Sequence, residues 1–403
     1  MGAKLFSLTM ENRAPRVHSG IPFWRDVRVL RIFGQVIFLT IVMLFFGYLL
    51  RNMFSALQRQ GLALGFSFLR LTSGFDIGEY LIPYNRSSTY LRAFVVGLLN
   101  TALVSFFGIV LATLLGVIIG VARLSRNILI QALARAYIEL LRNVPLLVLL
   151  ILWYTGIFLK FPRINQAITL PGPVLLTNRG IAVPWGIPTE TYSSYLFILG
   201  FGLFLALLVA AGWTWYGRRT GRTPLVWLWS LSVFLVVAVV GWFLLPGPAL
   251  HLDAPVVQGL RIAGGKQLTP EFMALLSGLA IYTSAFIADV VRAGIQSVSK
   301  GQVEAAKAIG LNGFQLLRLV VFPQALRVII PPLTSHYLNL AKNSSLAVAI
   351  GYPDLFSVSG TILNQSGRAV EVITLVMAIY LMISLLTSLF MNWYNRRIRF
   401  VER

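Results

Sequence analysis

The sequence predicts an all-α integral membrane protein with about eight transmembrane helices. Three observations predict it. Hydrophobic residues make up 57% of the 403-residue chain and charged residues only 12%, about half the share usual in soluble domains. The mean hydropathy is +0.78. The apolar residues gather into long charge-poor runs divided by short basic segments. A net charge of +21 would point to nucleic acid in a soluble protein. Here the Lys/Arg bias of cytoplasmic loops explains it. No domain-sized soluble stretch exists to bind a nucleic acid, and none is expected as a partner. With no cysteine in the chain, disulfides, thiolate metal sites and Cys nucleophiles are excluded.

The elements follow in order. Residues 1–31 read as a cytoplasmic extension, because the first apolar run is too long for the core of a signal peptide. Within it, Phe23, Trp24, Val27 and Leu30 share one helical face and Arg25 and Arg28 the other, which fits an interfacial helix or an ordinary polar lead-in. A span needs about 20 helical residues. Charge-free or charge-poor runs meet or approach that length at 32–50, 93–122, 143–159, 195–216, 224–245, 272–291, 328–350 and 372–395. The seventh run carries Lys342 and the Pro331-Pro332 pair, which is expected to interrupt its helix. With the N-terminus inside, the cytoplasmic segments hold 22 of the 34 basic residues. Both termini and residues 292–327 are therefore expected in the cytoplasm.

The segment 301–326, "GQVEAAKAIGLNGFQLLRLVVFPQAL", differs from its surroundings. Glu304 to Ala308 is strongly helix-forming. Gly310 supplies a stop that accepts positive φ. Phe314, Leu317 and Val321 resume an apolar helical face, and Pro323 is expected to end it. A short stiff helix–turn–helix of this kind suits docking better than a slack connector does.

The motif Glu304-Ala305-Ala306, then Gly310, then Val320-x-Phe322-Pro323 resembles the signature loop of permease subunits of bacterial ABC importers. Val and Phe stand where that family usually has Ile and Leu. "GLLNTALVSFFGIVLATLLGVIIGVARLS", "YIELLRNVPLLVLL", "YTSAFIADVVRAGIQSV" and "AKNSSLAVAIG" look like the polar amino-acid permeases of the histidine/glutamine type. Together they cover about 92–159 and 272–396. The resemblance implies a type I importer core of five helices in those two parts. An N-terminal helix with its outside loop, 32–91, and a segment with two spans, 160–271, would be additions. "SGFDIGEYLIPYNRSSTYLRAFVVGLLNT" resembles the longer general amino-acid subgroup. The family further implies a bacterial inner membrane, ATP-binding subunits that hold ATP and Mg, a second homologous permease, an extracytoplasmic amino-acid-binding protein, and surrounding lipid. Glu304, Ala305, Ala306 and Gly310 would form the coupling helix and its turn. Glu304 is expected to hold the loop by a charged hydrogen bond, to a backbone N–H at the helix start or to a basic group.

Polar groups inside spans are the candidate substrate contacts. These are Asn100 and Thr101 in the second span, Thr283 and Ser284 in the sixth, and Lys342, Asn343 and Ser344 in the seventh. An amino-acid zwitterion needs donors for its carboxylate and acceptors for its ammonium, which amides and hydroxyls supply. Interhelical hydrogen bonding is the alternative use of the same residues. Asp289 and Arg292 lie three apart on one face and read as a structural ion pair. No cofactor and no catalytic role are expected in this chain. Gly264 to Gln267 lacks P-loop spacing, and His18, His251 and His336 form no recognisable metal set. An ion-coupled secondary transporter is the alternative function; it would leave 301–326 unexplained and would depend on Asp289 as its only intramembrane acid.

Overall fold

The computed structural model describes residues 27–59, 65–221 and 225–398. Phe23, Trp24 and Arg25 of the expected interfacial helix, and the last five residues, lie outside them. The chain divides into two units, Met1–Phe66 and Ser67–Arg403. In the first, helix α1 spans Val27–Arg59. Its 33 residues reach ~50 Å at 1.5 Å each, and its large apolar side chains from Ile32 to Leu50 are exposed on every side. A helix apolar all round suits lipid.

The second unit is built on α2 (Tyr90–Ala122) and α7 (Pro270–Gln296). Each starts from a Thr cap: Thr89 accepts from the Arg92 N–H and Thr269 from the Phe272 N–H. They meet through the small-residue pattern Gly116-x-x-x-Gly120, which lets backbones approach closely. A Cβ on Gly116 would lie 2.5 Å from Ile287 Cγ2, and one on Gly120 2.7 Å from the Ala288 carbonyl. Around this pair pack α3 (Ile128–Asn143), α4 (Leu146–Gly156), α10 (Phe322–Asn343), α11 (Leu355–Ser366) and α12 (Ala369–Ile398). The main core joins Val104, Leu150, Leu275, Ile287, Ile329 and Leu340.

Between α4 and α7 the chain forms strands that the run-length reading did not anticipate. β1 (Ile168–Leu170), β2 (Val174–Thr177), β3 (Gly180–Val183) and β8 (Lys266–Leu268) make one antiparallel sheet in that order. β4 (Trp185–Pro188) pairs with β5 (Leu250–Asp253), and β6 (Val256–Gln258) with β7 (Arg261–Ala263). From these strands rises the hairpin of α5 (Tyr192–Thr220) and α6 (Val226–Leu244). Aromatic pairs mark its two ends: Tyr195 with Trp242 at 5.4 Å, and Trp213 stacked on Trp229 at 6.2 Å. Tyr195 and Trp213 are ~27 Å apart along α5, close to a bilayer's hydrocarbon thickness with an aromatic belt at each surface.

Among the described residues, seven helices are long and apolar enough to cross a membrane, with an eighth crossing if the bent pair of α3 and α4 counts as one. Three local expectations need correction. The third span is not a single helix over 143–159: α4 alone covers ~16 Å, and α3 joins it at a bend of 106°. Pro145, at the N-cap of α4, explains the break. Pro323 does not end a helix. A π-turn over Leu317–Val321 carries the chain into α10, with the Phe322 N–H bonded to the Leu317 carbonyl. This wider turn shifts the hydrogen-bond register just where Pro323 could make no bond. Pro331 and Pro332 stay inside α10, since membrane helices tolerate proline where neighbours enclose the freed carbonyls. The seventh span breaks later, where α10 gives way to a 3₁₀ turn over Ser344–Ile350.

Candidate functional site

The segment after α7 forms α8 (Lys300–Ala308). It begins four residues before Glu304, so Glu304 sits mid-helix. Glu304 is exposed, and its side chain makes no hydrogen bond or ion pair among the described residues. The expected bond to a backbone N–H at the helix start is therefore not made. Ala305 is exposed, while Ala306 turns inward and is 4% exposed.

The turn after α8 is closed by local bonds. Gly310 takes φ +84°, in the left-handed region that a Cβ disfavours. Its N–H donates to the Lys307 carbonyl at 2.9 Å, and the Leu311 N–H donates to the Ala306 carbonyl at 3.2 Å. These two bonds make a Schellman motif. Two residues later Asn312 caps α9 (Gly313–Leu316) reciprocally: its side chain accepts from the Gln315 N–H at 2.9 Å, and Gln315 accepts from the Asn312 N–H at 3.1 Å. A helix stop thus leads straight into a helix start. Ile309 and Phe314 stand exposed on either side of the turn, an apolar edge beside the charges of Glu304 and Lys307.

The two helices joined by this element line a common cavity. α7 contributes Tyr282, Thr283 and Phe286; α10 contributes His336, Asn339, Leu340 and Asn343. Its volume is about 290 Å³. Phe286 lies 5.8 Å from the His336 ring, and the Arg142 guanidinium 5.5 Å from the Phe286 ring centre. Arg142 of α3 pairs with Asp289, which also meets Arg292 at 3.6 Å. The expected pair within α7 is thus present, with Arg142 as the closer partner.

Of the seven candidate pathway residues, Thr283 and Asn343 come together in this cavity. Lys342 is exposed outside its lining. The others already have protein partners. Ser284 shares a 2.8 Å hydrogen bond with Tyr137 and donates to the Ile281 carbonyl. Ser344 donates to the Ala341 carbonyl at 2.9 Å. Thr101 accepts from the Leu355 N–H at 2.9 Å and so caps α11. Asn100 donates to the carbonyls of Glu79 and Pro353, both at 2.9 Å. Sequence reasoning missed His336 and Asn339. The signal was available: positions 336, 339 and 343 lie on one helical face.

Comparison with known proteins shows the family. The family model described as "Binding-protein-dependent transport system inner membrane component" matches residues 112–400. The general L-amino acid transport system permease protein AapQ of Rhizobium johnstonii is 43% identical over 94% of this chain and 94% of its own length. The glutamate/glutamine/aspartate/asparagine transport system permease protein BztB of Rhodobacter capsulatus is 40% identical over 94% of this chain and 96% of its own. With its multi-pass helical core and the family match over most of its length, the chain belongs to the inner membrane components of binding-protein-dependent transport systems, as a permease subunit.

Proposed function

We propose that this permease forms half of the pathway of an ATP-driven amino-acid importer and couples that pathway to a separate ATPase. The observation that carries the reading is α8, a nine-residue helix set between a three-residue connection from α7 and a Schellman turn. An element so constrained passes displacement on as a rigid body, and the two helices it joins both line the Thr283–Asn343 cavity. Glu304, Ala305, Ile309 and the Gly310 turn meet the ATP-binding subunits, which hold ATP and Mg. A second, homologous permease completes the pathway, and an extracytoplasmic binding protein delivers the substrate. Both termini and α8 lie in the cytoplasm. The relatives' transport of L-amino acids, by their names, supports the substrate class.

Within the cavity, Asn343 and Asn339 offer both donors and acceptors. Thr283 adds a hydroxyl and Phe286 an apolar wall. Ser284 and Ser344 bond within the frame of α7 and α10, while Asn100 and Thr101 tie α2 to the segment at 353–355. The ion-coupled alternative draws no support from a binding-protein-dependent family. Uptake into proteoliposomes holding the assembled transporter separates the two. ATP inside the vesicles should drive L-glutamine entry in the presence of the binding protein. Uptake driven by an ion gradient without ATP would reject the reading.

A further inference from the structure

A second cavity lies at the ends of α2 and α7 remote from α8, and no residue of the Thr283–Asn343 cavity lines it. It encloses about 410 Å³, within the range of small-molecule sites, ~300–1,000 Å³. Its walls come from the loop before α2 (Glu79, Leu81), from Asn100 of α2, from Lys266 of β8, and from Phe272 and Tyr352. A neighbouring cavity of about 430 Å³ shares Gly78, Glu79 and Thr269 with it and adds Glu271.

Glu79 is held in the shared wall from two sides. Its carbonyl accepts from Asn100 at 2.9 Å, and its Oε1 accepts from the Thr269 N–H at 3.2 Å. Hydrogen bonds from Thr269 alone leave a carboxylate with free acceptor sites. Burial pushes the carboxyl up from its usual range, opposed by the Thr269 hydrogen bonds, so an arriving cation would relieve a desolvated charge. Lys266 lines the same space, and its ammonium makes no hydrogen bond or ion pair among the described residues. A carboxylate and an ammonium thus border one cavity without closing on each other.

We propose that this cavity is an entry site for an amino-acid zwitterion, with Lys266 meeting the substrate carboxylate and Glu79 its ammonium. The inference rests on the amino-acid reading above and adds a station ahead of the Thr283–Asn343 cavity. It also gives the inserted strands a role. β8, paired with β3 through Lys266 and Val183, carries the lysine to the mouth just before α7 begins. Asn100 acts as a positioning residue that holds Glu79.

The chain has no cysteine, so Leu81→Cys gives a single thiol at this cavity. In sealed vesicles carrying the whole transporter without binding protein, an impermeant maleimide added outside should label it. L-glutamine should slow that labelling. Glutaramate, which lacks the ammonium, and 4-aminobutanamide, which lacks the carboxylate, should not. Lys266→Gln or Glu79→Gln should raise the protecting concentration about tenfold, the loss of a charged hydrogen bond, with labelling in the absence of ligand unchanged. Equal labelling with and without L-glutamine, in vesicles that retain ATP-driven uptake, would overturn the entry site alone. So would protection that survives both substitutions. Absence of L-glutamine uptake in the wild-type complex would instead reject the substrate class, and this site with it.

Discussion

Asn343 and Asp354 show how differently two polar residues serve this fold. Asn343 lines the cavity between α7 and α10 beside Thr283. We expect Asn343→Ala to raise the KM of uptake about tenfold, the loss of one hydrogen bond to a charged group, with assembly intact. Transport kinetics of the reconstituted complex check this, and unchanged KM would make Asn343 a frame residue. Asp354 is buried at the N-cap of α11 and accepts from the Ser357 N–H at 2.8 Å. Burial raises its carboxyl from 3.8 to about 6, against the lowering effect of its hydrogen bonds. The folded state therefore holds this proton more tightly than the unfolded chain. The resulting stability is complete below pH 3.8 and is lost as pH rises through about 6. The shift amounts to roughly 3 kcal/mol. Asp354→Asn mimics the protonated acid, so the variant should lack this slope between pH 4 and 7. Thermal unfolding in detergent, compared with wild type, measures it; identical slopes would contradict the assignment.

Among the elements, the legible ones were those whose bonds are local in sequence. The stop at Gly310 could be read because a Schellman turn uses residues within one helix end, Ala306 to Leu311. The long spans could be read because charge-free length alone defines them. For His336 the shared face with Asn339 and Asn343 was legible, but its contact with Phe286 was not, because that ring comes from another helix. The strands were hidden for another reason: segments of three or four residues give too few alternations to reveal a period of two. Pro323 misled because a proline normally ends a helix, and a π-turn leaves no signature in composition. The glycines of α2 make an element-level prediction. Gly116→Leu must displace Ile287, 2.5 Å from the new Cβ, and overpacking of this kind costs roughly 1–3 kcal/mol. The variant should unfold at lower temperature and yield less assembled complex, with Gly116→Ala affected less. Wild-type stability of the leucine variant would show that α2 and α7 do not pack as described.

For the whole molecule, the arrangement of the pathway depends on which side α8 faces. Thr220→Cys, at the end of α5, should react with a maleimide only from the cytoplasmic side. Leu260→Cys, exposed between β6 and β7, should react only from outside. The reverse pattern would invert the topology and separate α8 from any cytoplasmic ATPase. If α8 carries the work of a separate ATPase to α7 and α10, Gly310→Val should break that transmission. Nothing lies within 4 Å of a Cβ built at Gly310, so a substitution there acts through the backbone, at φ +84°. The left-handed conformation costs an L-residue roughly 1–2 kcal/mol, enough to unseat the turn without unfolding the spans. The measurement is ATP-driven L-glutamine uptake by the purified complex, with ATPase retention scored on the same preparation. Uptake should fall at least about tenfold, either because the ATPase dissociates or because hydrolysis continues without transport, while the external binding protein still binds its ligand. Wild-type uptake with the ATPase fully retained would mean that this segment is only a connector.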